Sequence, residues 1–482
     1  MSIEEPMALR RVAIGVFGGA AAAVLVLALA PHLHVEPERL EQMRRSLEVW
    51  TVVPFALMLG SIAVFPLAAP HWWESNARKL LVAVVLSLPV LLLLAGHGAA
   101  GGFELFEKAR EYVSFIGLLG ALFIISGGIY VHGSLDGTPA LNTLLLALGA
   151  VLASLVGTTG ASMLLIRPLL RANEMRLRKA HVVVFFIFVV SNCGGMLTPL
   201  GDPPLFLGFL KGVPFEWTFS RLWPMWLGVN GLLLVVFAAV DKEIFEREEA
   251  ARPGSQRKEV KEHAPVRVLG MFNLLLLAGI LFVVYASGRG LFHGGKAWPF
   301  GIQEGAMIGL AALSFAATSR TVHSMNHFVF GPIIEVAVLF AGIFVTMTPA
   351  LLLLNVHGAS LGLTEQWHFF WATGLLSSVL DNAPTYLTMS AAAAGMVGVP
   401  VEGRFLATVL EHPRGDALLV AISAGAVLMG ANTYIGNGPN FMVKAVAEHR
   451  GVEMPSFFGY VAYSGAVLIP VFVLVTLIFF RG

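Results

Sequence analysis

Apolar stretches of about twenty residues, the length a helix needs to cross a bilayer, recur from one end of this chain to the other. They restrict the fold severely, because backbone left open in lipid finds no partner. Composition agrees: hydrophobic residues make up 57% of the 482 and charged residues 13%, against about 25% charged in a typical soluble domain. An all-α polytopic membrane protein is expected, with the lipid bilayer as its first partner. The net charge of +1 argues neither way on nucleic acid, and none is expected as a partner. The single cysteine, Cys193, excludes a disulfide framework and a cysteine metal cluster. The apolar run after Arg11 reads as a retained first span, since no small-residue cleavage site precedes Pro31.

Eleven spans are expected, near 12–30, 50–69, 80–97, 112–131, 179–210, 222–241, 268–286, 303–318, 328–354, 414–447 and 457–480. Those at 179–210 and 414–447 are broken in the middle. Two further apolar segments, about 141–171 and 367–393, are also interrupted and read as re-entrant hairpins. With the N-terminus inside, 19 of the 31 Lys and Arg fall on the cytoplasmic side, as the positive-inside rule requires. The cluster Arg167 to Lys179 and the 242–267 loop decide this. The C-terminus then lies on the opposite, periplasmic side.

The interruptions repeat. Ser191-Asn-Cys-Gly-Gly-Met-Leu-Thr-Pro-Leu-Gly-Asp-Pro-Pro-Leu-Phe206 is answered by Ala431-Asn-Thr-Tyr-Ile-Gly-Asn-Gly-Pro-Asn-Phe441. Leu155-Val-Gly-Thr-Thr-Gly-Ala-Ser162 resembles Ser378-Val-Leu-Asp-Asn-Ala-Pro-Thr385. The hairpin tips are offset by 223 residues (381 − 158) and the broken helices by 235 (436 − 201). Two copies in constant order follow. The expected division is 1–49 as an N-terminal extra span and loop, 50–241 as the first repeat, 242–267 as a cytoplasmic linker and 268–482 as the second repeat. Five spans and one hairpin per copy make the repeats inverted. Paired interruptions of this kind point to a transporter's binding site.

The interruptions also carry the chemistry. Thr158 and Thr159 offer hydroxyls at the first tip; Asp381, Asn382 and Thr385 offer a carboxylate, an amide and a hydroxyl at the second. Small oxygen donors and free carbonyls suit a hard cation such as Na+, and Asp381, Asn382 and Asp202 are the candidates to hold it. Asn382 could equally cap the helix that Pro384 begins. Asp202 before Pro203 is a good helix cap as well as an intramembrane ionisable group, which is a functional candidate by default. Asn437 holds the matching place without the charge. Asn192, Thr198, Asn432 and Thr433 line the breaks, and Gly194 and Gly195 permit close backbone approach or plain helix packing. Glu335 is a candidate for a proton path or for an interfacial snorkel. No Ser/His, paired-Asp or His-Glu-x-x-His arrangement for an intramembrane enzyme is found, and no phosphate-binding Gly-x-x-x-x-Gly-Lys-Ser/Thr stretch.

These strings resemble the ion transporter superfamily over about residues 50–480. Gly194-Gly-Met-Leu-Thr-Pro-Leu-Gly-Asp-Pro-Pro204 is similar to its first interrupted helix, and Asn432 to Phe441 to its second. Within it, the chain looks most like bacterial Na+/H+ antiporters and the related putative citrate transporters. The resemblance implies two inverted repeats, each with a hairpin and an interrupted helix, a place in the bacterial inner membrane, and homodimers as a common working state. Dicarboxylate members show Ser-Asn-Thr at both tips, where this chain has Gly157-Thr-Thr-Gly160 and Asp381-Asn-Ala-Pro384. A carboxylate there would repel an anionic substrate by several kcal/mol at an effective dielectric of about 20. The expected function is therefore sodium:proton antiport, with Na+ and H+ as coupling ions and no other cofactor. The alternative is cation-coupled transport of citrate, another carboxylate or an oxyanion such as arsenite.

Overall fold

A computed structural model describes residues 4–29, 35–132, 136–251, 267–296, 298–326 and 328–481. Most of the expected linker, 252–266, lies outside the described residues. The chain is an all-α polytopic membrane protein.

The helices run α1 (Glu4–Leu29), α2 (Pro37–Ser46), α3 (Val53–Ala68), α4 (Pro70–Trp73), α5 (Asn76–Gly96), α6 (Ala99–Gly127), α7 (Pro139–Val156), α8 (Thr158–Ala172), α9 (Ala180–Val189), α10 (Pro203–Leu210) and α11 (Phe215–Ala251). They continue as α12 (Phe272–Arg289), α13 (Ile302–Ala317), α14 (Arg320–Met325), α15 (Gly331–His357), α16 (Gln366–Val379), α17 (Asn382–Met396), α18 (Phe405–Glu411), α19 (Gly415–Met429), α20 (Gly438–His449) and α21 (Phe457–Phe479). Two short strands, β1 (Tyr130–His132) and β2 (Arg267–Leu269), pair antiparallel.

Eleven helical segments among the described residues are long and apolar enough to cross a membrane. Ten coincide with expected spans. The eleventh is α7, expected as a hairpin arm; α13, expected as a span, has only 16 residues and falls short. The difference is one of length: α7 keeps an unbroken apolar run of 18 residues up to Gly157. Several small elements were not expected, among them the amphipathic α2, which buries Leu40 and Met43, the β1–β2 pair, α4, α14 and α18.

Helix contacts recur in exchanged pairs. α5 packs on α15 as α13 packs on α6. α3 meets α15 as α12 meets α6. Beyond the breaks, α10 packs on α17 and α20 packs on α8. So each broken helix leans on the hairpin arm of the other half. The breaks are enclosed by protein: α9 is buried on every side, and so is nearly all of α19. Irregular backbone at membrane depth demands that enclosure.

Candidate functional site

Four interruptions converge. At the first tip, α7 stops at Val156 and α8 starts at Thr158, with only Gly157 between them. Gly157 has φ +82°, a conformation that a side chain would strain. At the second tip, Leu380 is extended and Asp381 caps α17, accepting from the Ala383 N–H at 3.1 Å.

The two breaks are built alike. Each has a short 3-10 turn, Cys193–Leu197 or Gly430–Asn432, and then an extended threonine. Thr198 has φ −135° and ψ 159°; Thr433 has φ −137° and ψ 166°. Asp202 and Asn437 are extended too, at φ −142° and −152°. Each threonine hydroxyl donates to a helix-end carbonyl in the neighbouring hairpin, Thr198 to Ser154 and Thr433 to Ser378. Each then accepts from the N–H two residues on, Leu200 or Ile435. These contacts set the register of the tips. Ser154 answers Ser378 (378 − 154), so the offset is 224 and Thr158 answers Asn382, not Asp381. The sequence register was one residue off, because short polar strings align equally well either way and only the hydrogen bonds choose.

Asp202 is the hub. Its carboxylate accepts from the Thr158 hydroxyl at 2.8 Å, the Asn382 amide at 2.6 Å and the Asn437 amide at 3.1 Å. Those donors come from both tips and from the other break. The Asp202 side chain does not cap α10, so its placement before Pro203 is only positional. Asp381, not Asn382, occupies the cap of α17, which leaves the Asn382 amide free to reach Asp202. Asp202 is 1% exposed and Asn382 fully buried. The Asn382 Oδ1 has no hydrogen-bond partner. That is an unsatisfied carbonyl oxygen beside a buried carboxylate, an arrangement that costs free energy until something positive or a proton arrives.

Amides bind the breaks to each other. Asn192 donates to Asn440 Oδ1 at 2.7 Å, and Asn440 donates to the carbonyls of Gly430 and Thr433 at 2.9 Å. Asn437 also lies 3.2 Å from Asn192 Oδ1. Asn432 donates to the Ser378 hydroxyl at 2.8 Å. Thr385 bonds the Asp381 carbonyl, as a helix-start threonine does. Gly194 abuts Ala150 and Val189, and Gly195 abuts Gly201 and Thr158, so both serve close packing around the site. Glu335 stands apart, paired with the buried Lys79 at 2.7 Å.

A cavity of about 90 Å³ lies against the hub, room for several water-sized occupants. Gly157, Thr158, Thr159, Asp381 and Asn437 form its polar wall. Leu119, Leu122 and Phe123 of α6, with Ile333, Val336 and Phe340 of α15, form an apolar wall opposite. Among the described residues, no Lys or Arg lines it.

Sequence reasoning missed Ser154 and Ser378, whose hydroxyls take up the Leu197 N–H and the Asn432 amide. Their matched positions, four residues before Thr158 and Asn382, were the available signal. It also missed Trp226 and Asn230 of α11, which donate to the carbonyls of Gly194 and Cys193 in the first break.

Comparison with known proteins adds a family. A family model described as "Putative citrate transport" matches residues 44–480, nearly the whole chain. No curated protein matches.

Proposed function

The chain belongs to the putative citrate transport family, and from that premise we propose that it is a secondary active transporter whose coupling cation binds between the tips and breaks, at Asp202 and Asp381. The observation that carries this is the Asp202 hub. A buried carboxylate with three neutral donors and no basic partner is poised to take up either a proton or a cation. The Thr158 hydroxyl serves both states, because it can donate to the carboxylate and accept from the protonated acid. The unpartnered Asn382 Oδ1 offers the cation a further oxygen. Competition of Na+ and H+ for this one group couples two fluxes without any nucleotide.

Sodium:proton exchange is the reading that the site's charge supports best. Asp381 lines the cavity, Asp202 stands behind Thr158 and Asn437 of its wall, and among the described residues no cationic side chain lines it, so a bare anion would meet repulsion. Cation-coupled citrate transport is the second reading, favoured by the family match; there the bound cation would screen Asp202 and Asp381. The surroundings we propose are the bacterial inner membrane, with the N-terminus cytoplasmic and the C-terminus periplasmic, following the distribution of Lys and Arg.

Proteoliposomes separate the two. A Na+ pulse that moves protons in the absence of citrate supports exchange. Citrate uptake that requires Na+, with no citrate-independent proton movement, supports the second reading. Neither flux above that of protein-free vesicles would overturn both.

A further inference from the structure

The cavity lies on one side of the hub. α8 and α20, which leave the hub together, border it through Thr159, Gly160, Pro439 and Met442. α10 and α17 leave the hub as the other pair, and there the helices close on one another. α10 touches α6 directly, whereas the counterpart space between α20 and α15 is where the cavity opens. Gly395 and Gly358 bring α17 and α15 so close that a Cβ at either would strike the opposing backbone.

The α10–α17 side carries a balanced cluster of six charges. Arg44, Lys108 and Lys211 meet Glu104, Glu111 and Glu402. Arg44 of α2 and Glu104, Lys108 and Glu111 of α6 stand on the α6–α15 side. Lys211, which ends α10, and Glu402, in the loop after α17, stand on the hairpin side. Two ion pairs cross between them with opposite polarity. Lys211 reaches Glu111, which Lys108 also holds at 3.0 Å. Glu402 reaches Arg44 at 2.8 Å. The Asn355 amide of α15 pins the same loop, donating to Val399 at 2.8 Å. The Lys108 and Lys211 side chains are 7% and 6% exposed. Glu111 lies eleven residues before Leu122 on α6, about 16 Å along the helix, so the cluster is remote from the hub.

We propose that the Lys211–Glu111 and Arg44–Glu402 pairs are a latch that holds the α10–α17 side closed while the cavity side is open. The latch rests on the transporter reading, since alternating access requires each side to close in turn. Opposite polarity makes it self-registering: a shifted hairpin body would set Lys211 toward Arg44 or Glu402 toward Glu111, and like charges repel. Leaving the closed state exposes all four groups together, so they are regained together on return.

Thiol accessibility tests this without any flux. In a Cys193→Ala background, Leu207→Cys sits one turn before Lys211 on the same face of α10, and Met442→Cys reports the cavity side. The protein is held in nanodiscs and labelled with a membrane-impermeant maleimide. With the latch intact, the Cys at 442 labels much faster than the Cys at 207. The double variant Lys211→Gln with Glu111→Gln is expected to raise labelling at 207 by about tenfold and to slow it at 442. The exchange Lys211→Glu with Glu111→Lys keeps one carboxylate between two ammonium groups and is expected to restore the original ratio. Should the Gln double variant fail to give monodisperse protein, Arg44→Gln with Glu402→Gln is read the same way. Unchanged labelling at 207, or an exchange variant that labels like the Gln double variant, would overturn the latch. Because labelling needs no transport, that outcome would leave the cation site untouched, and loss of flux with the labelling pattern intact would count against the cation site alone.

Discussion

The Asn382 amide meets the Asp202 carboxylate at 2.6 Å across 180 residues of chain. One contact thereby joins the second hairpin to the first broken helix. Thr158, the counterpart of Asn382, meets the other oxygen of the same carboxylate. Asn437, the counterpart of Asp202, also points at it. Two quasi-equivalent halves therefore share the Asp202 carboxylate. Near symmetry builds the enclosure, and the places where it fails, Asp202 against Asn437 and Asp381 against Gly157, carry the charge.

Asp381→Asn separates capping from charge. Asn caps a helix about as well as Asp, so stability should change by no more than about 0.5 kcal/mol. Asp381→Ala, which removes the cap, should cost about 1 kcal/mol. Both should lose Na+-driven flux if the carboxylate on the cavity wall is needed. Thermal unfolding beside flux in proteoliposomes checks this, and full flux in Asp381→Asn would remove the group from the mechanism.

Asn440→Leu should loosen the two breaks from each other. It strands one N–H of the Asn192 amide, whose other N–H keeps the Ile187 carbonyl, and the carbonyls of Gly430 and Thr433, each buried. The loss should be about 1–3 kcal/mol for each group left unpaired. Calorimetry of the purified variant measures the total, and native-like stability would show that water replaces the side chain at no cost.

Much of this was legible in the chain itself. The span pattern, the two breaks and the 235-residue offset follow from apolar length and from Gly and Pro. Asp202, Asn382, Thr158 and Asn437 stood out as polar groups where lipid would otherwise be. Their mutual contacts did not, because the periodicity of each half says nothing about how the halves interlock. Asp381 reads with Asn382 and Asp202 as a candidate cation ligand; the fold adds that Asp381 caps α17 and that Asp202 takes the contacts shared by both halves. The ionic cluster on the α10–α17 side was illegible, since Arg44, Glu111, Lys211 and Glu402 are scattered over four segments.

Gly201→Ala should damage the fold more than the volume of one methyl suggests. The new Cβ would collide with the Gly195 backbone, and the Gly201 carbonyl accepts from the Thr158 N–H at 2.8 Å. Backbone cannot yield as a flexible side chain can. A loss at or above the roughly 1–3 kcal/mol of ordinary overpacking is expected. Chromatographic homogeneity and unfolding midpoint check it.

Glu335→Gln should act on stability and leave coupling alone. Lys79 is almost fully buried against it, while Glu335 itself is about two-fifths exposed. Solvent screening reduces the loss to about 1–2 kcal/mol, below the 3–5 kcal/mol of a fully buried pair. The pH profile of flux should keep its shape. A displaced profile would place Glu335 on a proton path instead.

The most direct measurement is calorimetric titration of NaCl into the purified protein and into Asp202→Asn, in two buffers of different ionisation enthalpy. The wild type should bind Na+ and release protons, seen as a heat that changes with the buffer. Asp202→Asn should show neither binding nor proton release while remaining folded. Equal Na+ binding and proton release in the two proteins would contradict the placing of the cation at Asp202.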